Sequence, residues 1–215
     1  MRDEFRGDLI EVGRLLVSMA EGVRTAMRNA TTALLDADGA AAAAVVARDD
    51  ETDELYRQVE EKVRQLLARQ APVASDLRLV VTALHVAADI ERMGDLAAHV
   101  AKTAKRRSPA PAVPPEAAGI VEQMAQVADR IAGKITMVLS APDAIRAAEL
   151  ERDDDAMDDL HRELFVVLLG PGWAHGVEAA IDCALLGRFY ERYADHAVNA
   201  GGHVVFMVTG EQLAT

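Results

Sequence analysis

The second half of the chain repeats the residue pattern of the first half, and this duplication limits the possible folds more than any other feature. A shift of 105 positions aligns the first two thirds of each half, and a shift of 100 aligns the last third. The matched pairs are Met19 with Met124, Thr31 with Thr136, Leu34 with Leu139, Asp38 with Asp143, Asp49 with Asp154, Asp50 with Asp155, Asp53 with Asp158, Leu55 with Leu160, Glu91 with Glu191, Arg92 with Arg192, Asp95 with Asp195 and Ala97 with Ala197. Such a chain is expected to build one structural unit twice.

Turn signals divide each half into three helices. Aromatic residues make up only 4% of the chain and alanine is abundant, a composition that favours long, closely packed helices. We predict an all-α fold of six long helices in two tandem, duplicated three-helix bundles, because three antiparallel helices can bury the apolar stripes that one cannot. The predicted helices are Asp3 to Leu35, Asp38 (as cap) to Gln70, Ser75 to Lys105, Pro115 to Leu139, a fifth from the turn at Ser140 to Asp143 as far as Leu169, and His175 to Thr209.

A proline-rich segment separates the two halves. Residues 108–115 read SPAPAVPP, and four prolines in eight positions are incompatible with a continuing helix. We therefore predict a first repeat at 1–107, a linker at 108–115 and a second repeat at 116–210.

The charge of the chain excludes some classes of partner. A formal net charge of −12 is unsuited to nucleic acid, which needs basic surfaces. We assign the local basic run from Lys102 to Arg107 to complementing a helix dipole. Cys183 is the only cysteine, the charged N-terminus lacks the apolar core of a signal peptide, and no uncharged run approaches the ~20 residues that span a bilayer. A cytoplasmic protein that meets membranes only through partners is expected.

Two helices of each half carry a pair of acids, four residues apart, within an apolar stripe. In the third predicted helix, Glu91 and Asp95 continue a line that begins with Leu77 and Leu84. If the two helices of a half are neighbours, four carboxylates converge. The pairs are Asp49 with Asp53 and Glu91 with Asp95 in the first half, and Asp154 with Asp158 and Glu191 with Asp195 in the second half.

Two interpretations of these acids remain open. On a solvated helix face a like-charge pair costs only a few tenths of a kcal/mol, and Arg48, Arg92 and Arg192 lie near enough in sequence to neutralise part of the charge, so a purely structural module is one hypothesis. The repetition within apolar stripes favours a site instead, because converging carboxylates raise their pKa values or bind a cation. Oxygen ligands suit iron, manganese, magnesium or calcium, and zinc where an imidazole is near.

Histidines add little to this pattern. His99 follows Asp95 by one turn and could join the first site, where its counterpart Asn199 is a weaker ligand. His161 corresponds to Tyr56, which favours a packing role. The remaining histidines have no repeated acid partner and are interpreted as surface or interface residues, namely His85, His175, His196 and His203.

A metal-dependent enzyme, either a hydrolase or a di-iron oxidase, is the alternative function. The sequence offers no Gly-rich phosphate loop and no strand-turn-helix setting for a nucleophilic serine, and Cys183 lies in an apolar helix segment. No Glu-x-x-His motif recurs in matching positions, as a ferritin-like di-iron site would require. These observations weigh against catalysis, and we predict that the protein is not an enzyme.

Paired E(D)xxxD motifs occur in ERMGDLAAHVAK (91–102) and FYERYADHAVNAG (189–201). These motifs resemble the signatures of the PhoU family, the phosphate-uptake regulators of bacteria. RDDETDEL (48–55) and RDDDAMDDLH (152–161) look like the corresponding segments of the preceding helices, and PVASDLRLVVTALHVAADIERMGD (72–95) is similar to the most recognisable stretch. The resemblance covers about residues 5 to 209 and looks most like an actinobacterial member.

The resemblance implies a cytoplasmic regulator without catalytic turnover. Such a protein would be an adaptor between the ATPase subunit of the phosphate ABC transporter and a sensor histidine kinase, and it would repress uptake and the phosphate-starvation response. A homodimer is expected. The resemblance also implies divalent or trivalent metal ions, iron or zinc among them, with Asp50 and Asp155 as second-choice ligands beside Asp49, Asp53, Glu91, Asp95, Asp154, Asp158, Glu191 and Asp195.

Overall fold

The computed structural model of the protein describes residues 2–141 and 143–210, and all regular structure in these ranges is helical. The helices are α1 (Arg2–Leu35), α2 (Gly39–Ala47), α3 (Asp49–Gln70), α4 (Ala74–Arg107), α5 (Pro115–Ser140), α6 (Ala144–Ala148), α7 (Leu150–Leu168) and α8 (Gly176–Thr209). The predicted all-α fold is confirmed.

The six predicted helices are present, but the second helix of each half is broken near its start. The break between α2 and α3 lies at Arg48, and the break between α6 and α7 lies at Glu149. Acidic side chains occupy the first turn of α3 and of α7, where they complement the dipole of a newly starting helix. The predicted cap Asp38 accepts hydrogen bonds from the backbone N–H groups of Ala40 and Ala41, and its counterpart Asp143 caps α6 in the same way.

The two halves share one continuous hydrophobic core. Helix α1 packs on α5 and α4 packs on α8, so equivalent helices of the two halves lie side by side. Arg24 of α1 forms a two-bonded ion pair with Asp129 of α5, at 2.8 Å for each bond, and these two positions are related by the 105-residue shift. The buried hydroxyls of Thr31 and Tyr190 also meet across the halves at 2.6 Å. The two halves thus pack together as one unit.

The proline-rich connection lies between the end of α4 and the start of α5. It is non-helical from Ser108 to Pro114, and Ala112 and Val113 within it are buried against the core. The predicted boundaries of the two repeats stay a prediction. No helix of the described residues is both long enough and apolar enough to cross a bilayer.

The basic run at the end of α4 forms side-chain ion pairs, beyond the dipole role that we predicted for it. Arg106 and Arg107 both bind the carboxylate of Asp182 on α8, which is only 4% exposed. Arg107 also contacts Glu178 at 2.9 Å. These pairs fix the end of α4 to the start of α8, because a buried carboxylate needs such compensation.

Candidate metal centres

Helix packing brings the predicted acids together in each half. Helix α3 packs against α4, and α7 packs against α8. All of these acids except the exposed Asp158 are partly buried. We call them the first cluster (Asp49, Asp53, Glu91 and Asp95) and the second cluster (Asp154, Asp158, Glu191 and Asp195).

Carboxylates of the first cluster are close enough to perturb one another. Burial raises the pKa of Asp49 above its ordinary value, Lys102 opposes this, and the charges of Asp95 and Asp53 raise it further. Burial and then Asp95 raise the pKa of Glu91, while Arg92 lowers it. The acids of α3 and α4 therefore form one electrostatic unit.

Two cations compensate the first cluster. The Lys102 ammonium lies 3.9 Å from Asp49 Oδ2. Arg92 donates a 2.7 Å hydrogen bond from Nη1 to Asp95 Oδ2, and its Nε lies 3.5 Å from Glu91 Oε2. Both cationic side chains are at least half exposed, so they offset part of the negative charge of the cluster without occupying the space between its carboxylates.

The second cluster is less compensated. Burial, followed by the charges of Asp195, Asp158 and Glu191, raises the pKa of Asp154 to about 6. Burial and Asp195 also raise the pKa of Glu191, which pairs with Arg188. The position equivalent to Lys102 is Gly202, so Asp154 has no counterpart of that lysine.

Two carboxylate oxygens of the second cluster are buried without a hydrogen-bond partner, namely Asp154 Oδ1 and Glu191 Oε2. Buried oxygens of this kind are costly unless something donates to them or a cation neutralises them. The imidazole Nε2 of His161 is likewise buried without a partner, and burial, followed by Arg188, lowers the pKa of this histidine. The two carboxylate oxygens are donors of the kind that hard cations prefer.

The side chains of the described residues do not form a ready-made coordination sphere. Within 2–141 and 143–210, no three His, Cys, Asp or Glu side chains are arranged to hold a metal ion. His99, which the sequence offered as a further ligand, bonds through Nδ1 to the carbonyl oxygen of Asp95 at 2.7 Å and packs its ring against Phe189 of α8. Metal binding by either cluster stays a prediction.

The histidines interpreted as interface residues include a group between α4 and α8. His196 Nδ1 lies 3.0 Å from Asp89 Oδ1, and His203 Nε2 lies 3.5 Å from Asp89 Oδ2. The ring of His203 stacks on His85 at a centroid distance of 5.0 Å. Burial lowers the pKa of His203. This group belongs to the seam between the halves, separate from the two acid clusters.

Lys102 and Arg188 are charge partners of the clusters that sequence reasoning missed. A helical signal exists for both. Lys102 follows Asp95 by seven residues, two turns along the same face, and Arg188 precedes Glu191 by three residues. The helical spacing places each of these residues on the face of its helix that carries the acids. Only the packing of α4 against α3 shows that Lys102 reaches Asp49.

Cys183 lies in the buried core of α8. Cys183 is fully buried, and burial raises its pKa to about 11, so the thiol is protonated at neutral pH. The interpretation of Cys183 as a structural residue agrees with this environment.

Comparison with known proteins supplies a family. The family model described as "PhoU domain" matches residues 16–104 and 121–203. The "Phosphate-specific transport system accessory protein PhoU homolog 2" of Mycobacterium tuberculosis is 46% identical over 210 residues, covering 98% of this chain and 99% of the relative. Homolog 1 of Mycobacterium leprae is 44% identical, covering 98% of this chain and 95% of the relative.

Solved structures agree in fold. A crystal structure of PhoU from Pseudomonas aeruginosa is similar to this chain with a TM-score of 0.88 and 27% identity, covering 96% of this chain and all of that one. The phosphate transport system regulatory protein PhoU from Streptococcus pneumoniae shows the same fold, with a TM-score of 0.88 at 22% identity over 98% of this chain and 100% of the other.

Proposed function

This chain belongs to the PhoU family, and we propose that it is a cytoplasmic accessory regulator of phosphate-specific transport that acts by binding partners, without catalytic turnover. The observation that carries the proposal is the match to mycobacterial accessory proteins at 44–46% identity along nearly the whole chain. The names of these relatives tie them to a phosphate-specific transport system. A rigid, acidic helical scaffold is suited to docking.

The proposed partners are the ATPase subunit of a phosphate ABC transporter and a sensor histidine kinase. Through them the protein would restrain uptake and repress the starvation response when phosphate is plentiful. Support for the transporter comes from the names of the relatives, and support for the kinase comes from the family resemblance alone.

A deletion strain carrying a phosphate-starvation reporter tests this role. In rich phosphate we expect the reporter to rise when the gene is deleted and to return to its repressed level when the wild-type gene is restored. Repression that survives the deletion would count against the regulatory role. Copies lacking one cluster or the other, alongside an exposed-acid control such as Asp159→Ala, would show whether either cluster is needed for repression.

We further propose that both clusters bind a divalent or trivalent cation. All eight donors are carboxylates, which suit hard cations such as iron or manganese, and the unpartnered oxygens of Asp154 and Glu191 support this at the second cluster. The cation would supply positive charge between two helices that otherwise repel. Asp49, Asp53, Glu91 and Asp95 would hold it in the first half, and Asp154, Asp158, Glu191 and Asp195 in the second half.

Elemental analysis of protein purified without added metal or chelator tests the cation proposal. Replacing all four acids of a cluster with alanine should remove the metal of that cluster. The matched control is Glu54→Ala with Glu61→Ala, two exposed acids of α3 that pair with arginines three residues away. If the metal content is unchanged in both cluster variants, the acids do not bind the metal, and the purely structural interpretation of these residues would be favoured.

We also propose a homodimer. Large apolar side chains are exposed where α7 ends and α8 begins, and such a patch favours association. Val177 is 76% exposed and Ile181 is 53% exposed. Replacing both with lysine should convert a dimeric mass in light scattering to a monomeric one, and an unchanged mass would place the contact elsewhere.

A further inference from the structure

An apolar groove lies near the starts of α1 and α4 and the ends of α5 and α8. It has a volume of about 800 Å³ and is lined by residues of all four helices. Its floor is buried and includes Val12, Val86 and Val204. The lining residues of α1 run from Leu9 to Ser18, about 14 Å at 1.5 Å per residue. That length matches about four residues of an extended peptide, at ~3.3 Å for each residue.

The duplication shows what the chain places at the equivalent position of the other half. Two lining residues of the groove, Met207 and Leu9, correspond to Arg107 and Pro114. Arg107 is the last residue of α4, and Pro114 directly precedes α5, so the proline-rich connection runs from one to the other. Within residues 2–141 and 143–210, no segment joins Met207 to Leu9 in this way. The groove is therefore the place where the other half has its connection.

The connection is packed onto the protein at that equivalent place. Its Ala112 is only 4% exposed and its Val113 is only 7% exposed. Beside it, Arg107 pairs with the buried Asp182, which corresponds to Thr82 of the groove. One half thus covers this surface with small apolar side chains of a non-helical segment, and the other half leaves it as a groove.

The lining of the groove carries a positive charge and no acidic side chain. Arg14 is the only charged residue among the lining residues, and its side chain is exposed. It has no ion-pair partner within the described ranges of the chain. The whole chain has 35 acidic and 23 basic residues, so most of its surface repels a carboxylate. This groove is a place where a segment that carries a carboxylate is favoured.

We propose that the groove binds a short non-helical segment of a partner protein, which places small apolar side chains such as alanine and valine on the floor and a carboxylate at Arg14. The apolar side chains lie on the floor as those of Ala112 and Val113 lie on the other half. Their burial supplies affinity, and the contact with Arg14 fixes the orientation of the segment. This surface goes beyond the regulatory role and does not depend on it, so either proposal can fail alone.

The probe that tests this proposal is the peptide acetyl-PAVPPE-amide, which has the sequence of residues 111–116. Titrated into the full ¹⁵N-labelled chain, it should give saturable NMR shifts at the amides of Ala83 and Val204. Gly13→Leu should weaken binding about tenfold or more, because Gly13 lines the groove and a Cβ there would have no atom within 4 Å. The matched control is Gly7→Leu at an exposed position of α1, which should bind as the wild type does.

The charge is tested with Arg14→Met and with a peptide that has glutamine in place of the glutamate. Each change alone should weaken binding about threefold, and the two together should weaken it no further, because both remove the same pair. Equal binding of the two peptides by the wild-type chain would overturn the proposed carboxylate. Arg14 is exposed, so Arg14→Met also serves as the second variant if Gly13→Leu fails to fold.

Four further results would overturn the assignment of a partner segment. Equal binding to Gly13→Leu and Gly7→Leu would place the peptide elsewhere. Binding only to a chain that ends at Gly210 would show that residues 211–215 of this chain compete for the groove. A change in oligomeric mass with Gly13→Leu, but not with Gly7→Leu, would show an interface between copies. No saturable binding to either the full or the shortened chain would remove the groove as a peptide site.

Discussion

The two acid clusters use equivalent carboxylates but differ in the cations beside them. The first cluster has Lys102 near Asp49 and Arg92 bridging Glu91 and Asp95. In the second cluster Arg188 pairs with Glu191, and glycine stands where Lys102 would be. The difference teaches that duplication preserved the acids while their electrostatic surroundings diverged.

The pKa values of the clusters report this divergence. Asp49 and Asp154 occupy equivalent positions, yet only for Asp154 does the pKa rise as far as about 6. Lys102 is the second-largest influence on Asp49 and opposes the burial, whereas every cause acting on Asp154 raises its pKa. We therefore expect the second cluster to bind a cation more tightly than the first. We also expect the free energy of unfolding to increase more when a carboxylate of the second cluster is neutralised.

The largest expected effect is on cation affinity. A titration with Mn²⁺ should resolve a tighter and a weaker site. Asp154→Asn with Asp195→Asn should remove the tighter site, a loss on the order of 100-fold, because two charged donors are lost. Asp49→Asn with Asp95→Asn should remove the weaker site. Equal affinities, or loss of the tighter site from changes in the first half, would contradict the ranking of the clusters.

Asp154→Asn should stabilise the metal-free protein at high pH. The folded-state pKa of Asp154, about 6, lies above its ordinary value of 3.8, so the folded protein binds the proton more readily than the unfolded chain. The resulting cost to stability is present above pH 6 and disappears as the pH falls through 6 toward 3.8. After allowing for solvent screening of a half-buried group, we expect a gain of about 1–2 kcal/mol at pH 8.

Urea unfolding in metal-free buffer at pH 8 and pH 4.5 measures this gain. Asp49→Asn is the matched control and should gain less, because Lys102 already opposes the repulsion at that position. A larger increase in the free energy of unfolding for Asp49→Asn than for Asp154→Asn would contradict the proposed difference between the clusters. An increase for Asp154→Asn that is as large at pH 4.5 as at pH 8 would contradict it too.

Lys102→Met should make the first cluster behave more like the second. Methionine keeps an aliphatic stem and removes the charge, so the pKa of Asp49 should rise further and the Mn²⁺ affinity of the first cluster should increase about twofold to fivefold. Lys62→Met is the control, since it removes the same charge at a position about 20 Å from Asp49 along α3. An affinity increase of the same size in both variants would indicate general net charge and not the local Lys102–Asp49 pair.

Much of the fold could be predicted from the sequence because the relevant signals are periodic and local. Apolar stripes and turn residues gave the six helices, and Asp38 could be identified as a cap from its position before a helix. The breaks at Arg48 and Glu149 could not be predicted in this way, because arginine and glutamate are good helix formers and neither break has a glycine or proline beside it.

The candidate site was predictable only as far as single helices determine it. The spacing of Glu91 and Asp95 places both on one face, and the repeat doubles that signal. The reach of Lys102 to Asp49 depends on how α4 lies against α3, which no local pattern encodes. Volume differences between the halves, such as Gly22 against Val127, likewise matter only once the helices are packed.

The smallest expected effect concerns Lys134 of α5, the second-half counterpart of Asn29. Lys134→Met should destabilise the protein by about 0.5–1 kcal/mol in urea unfolding, because it removes a partly buried ion pair to Asp153 while keeping the apolar stem. Asn29→Met, the equivalent change in the first half, lies at an exposed position and removes no ion pair, so it should leave stability within about 0.5 kcal/mol of wild type. A double-mutant cycle with Asp153→Asn isolates the pair, and its coupling energy should account for most of the loss. If the cycle shows no coupling, Lys134 contributes to stability through its apolar stem alone, and the two halves then do not differ in charge stabilisation at this position.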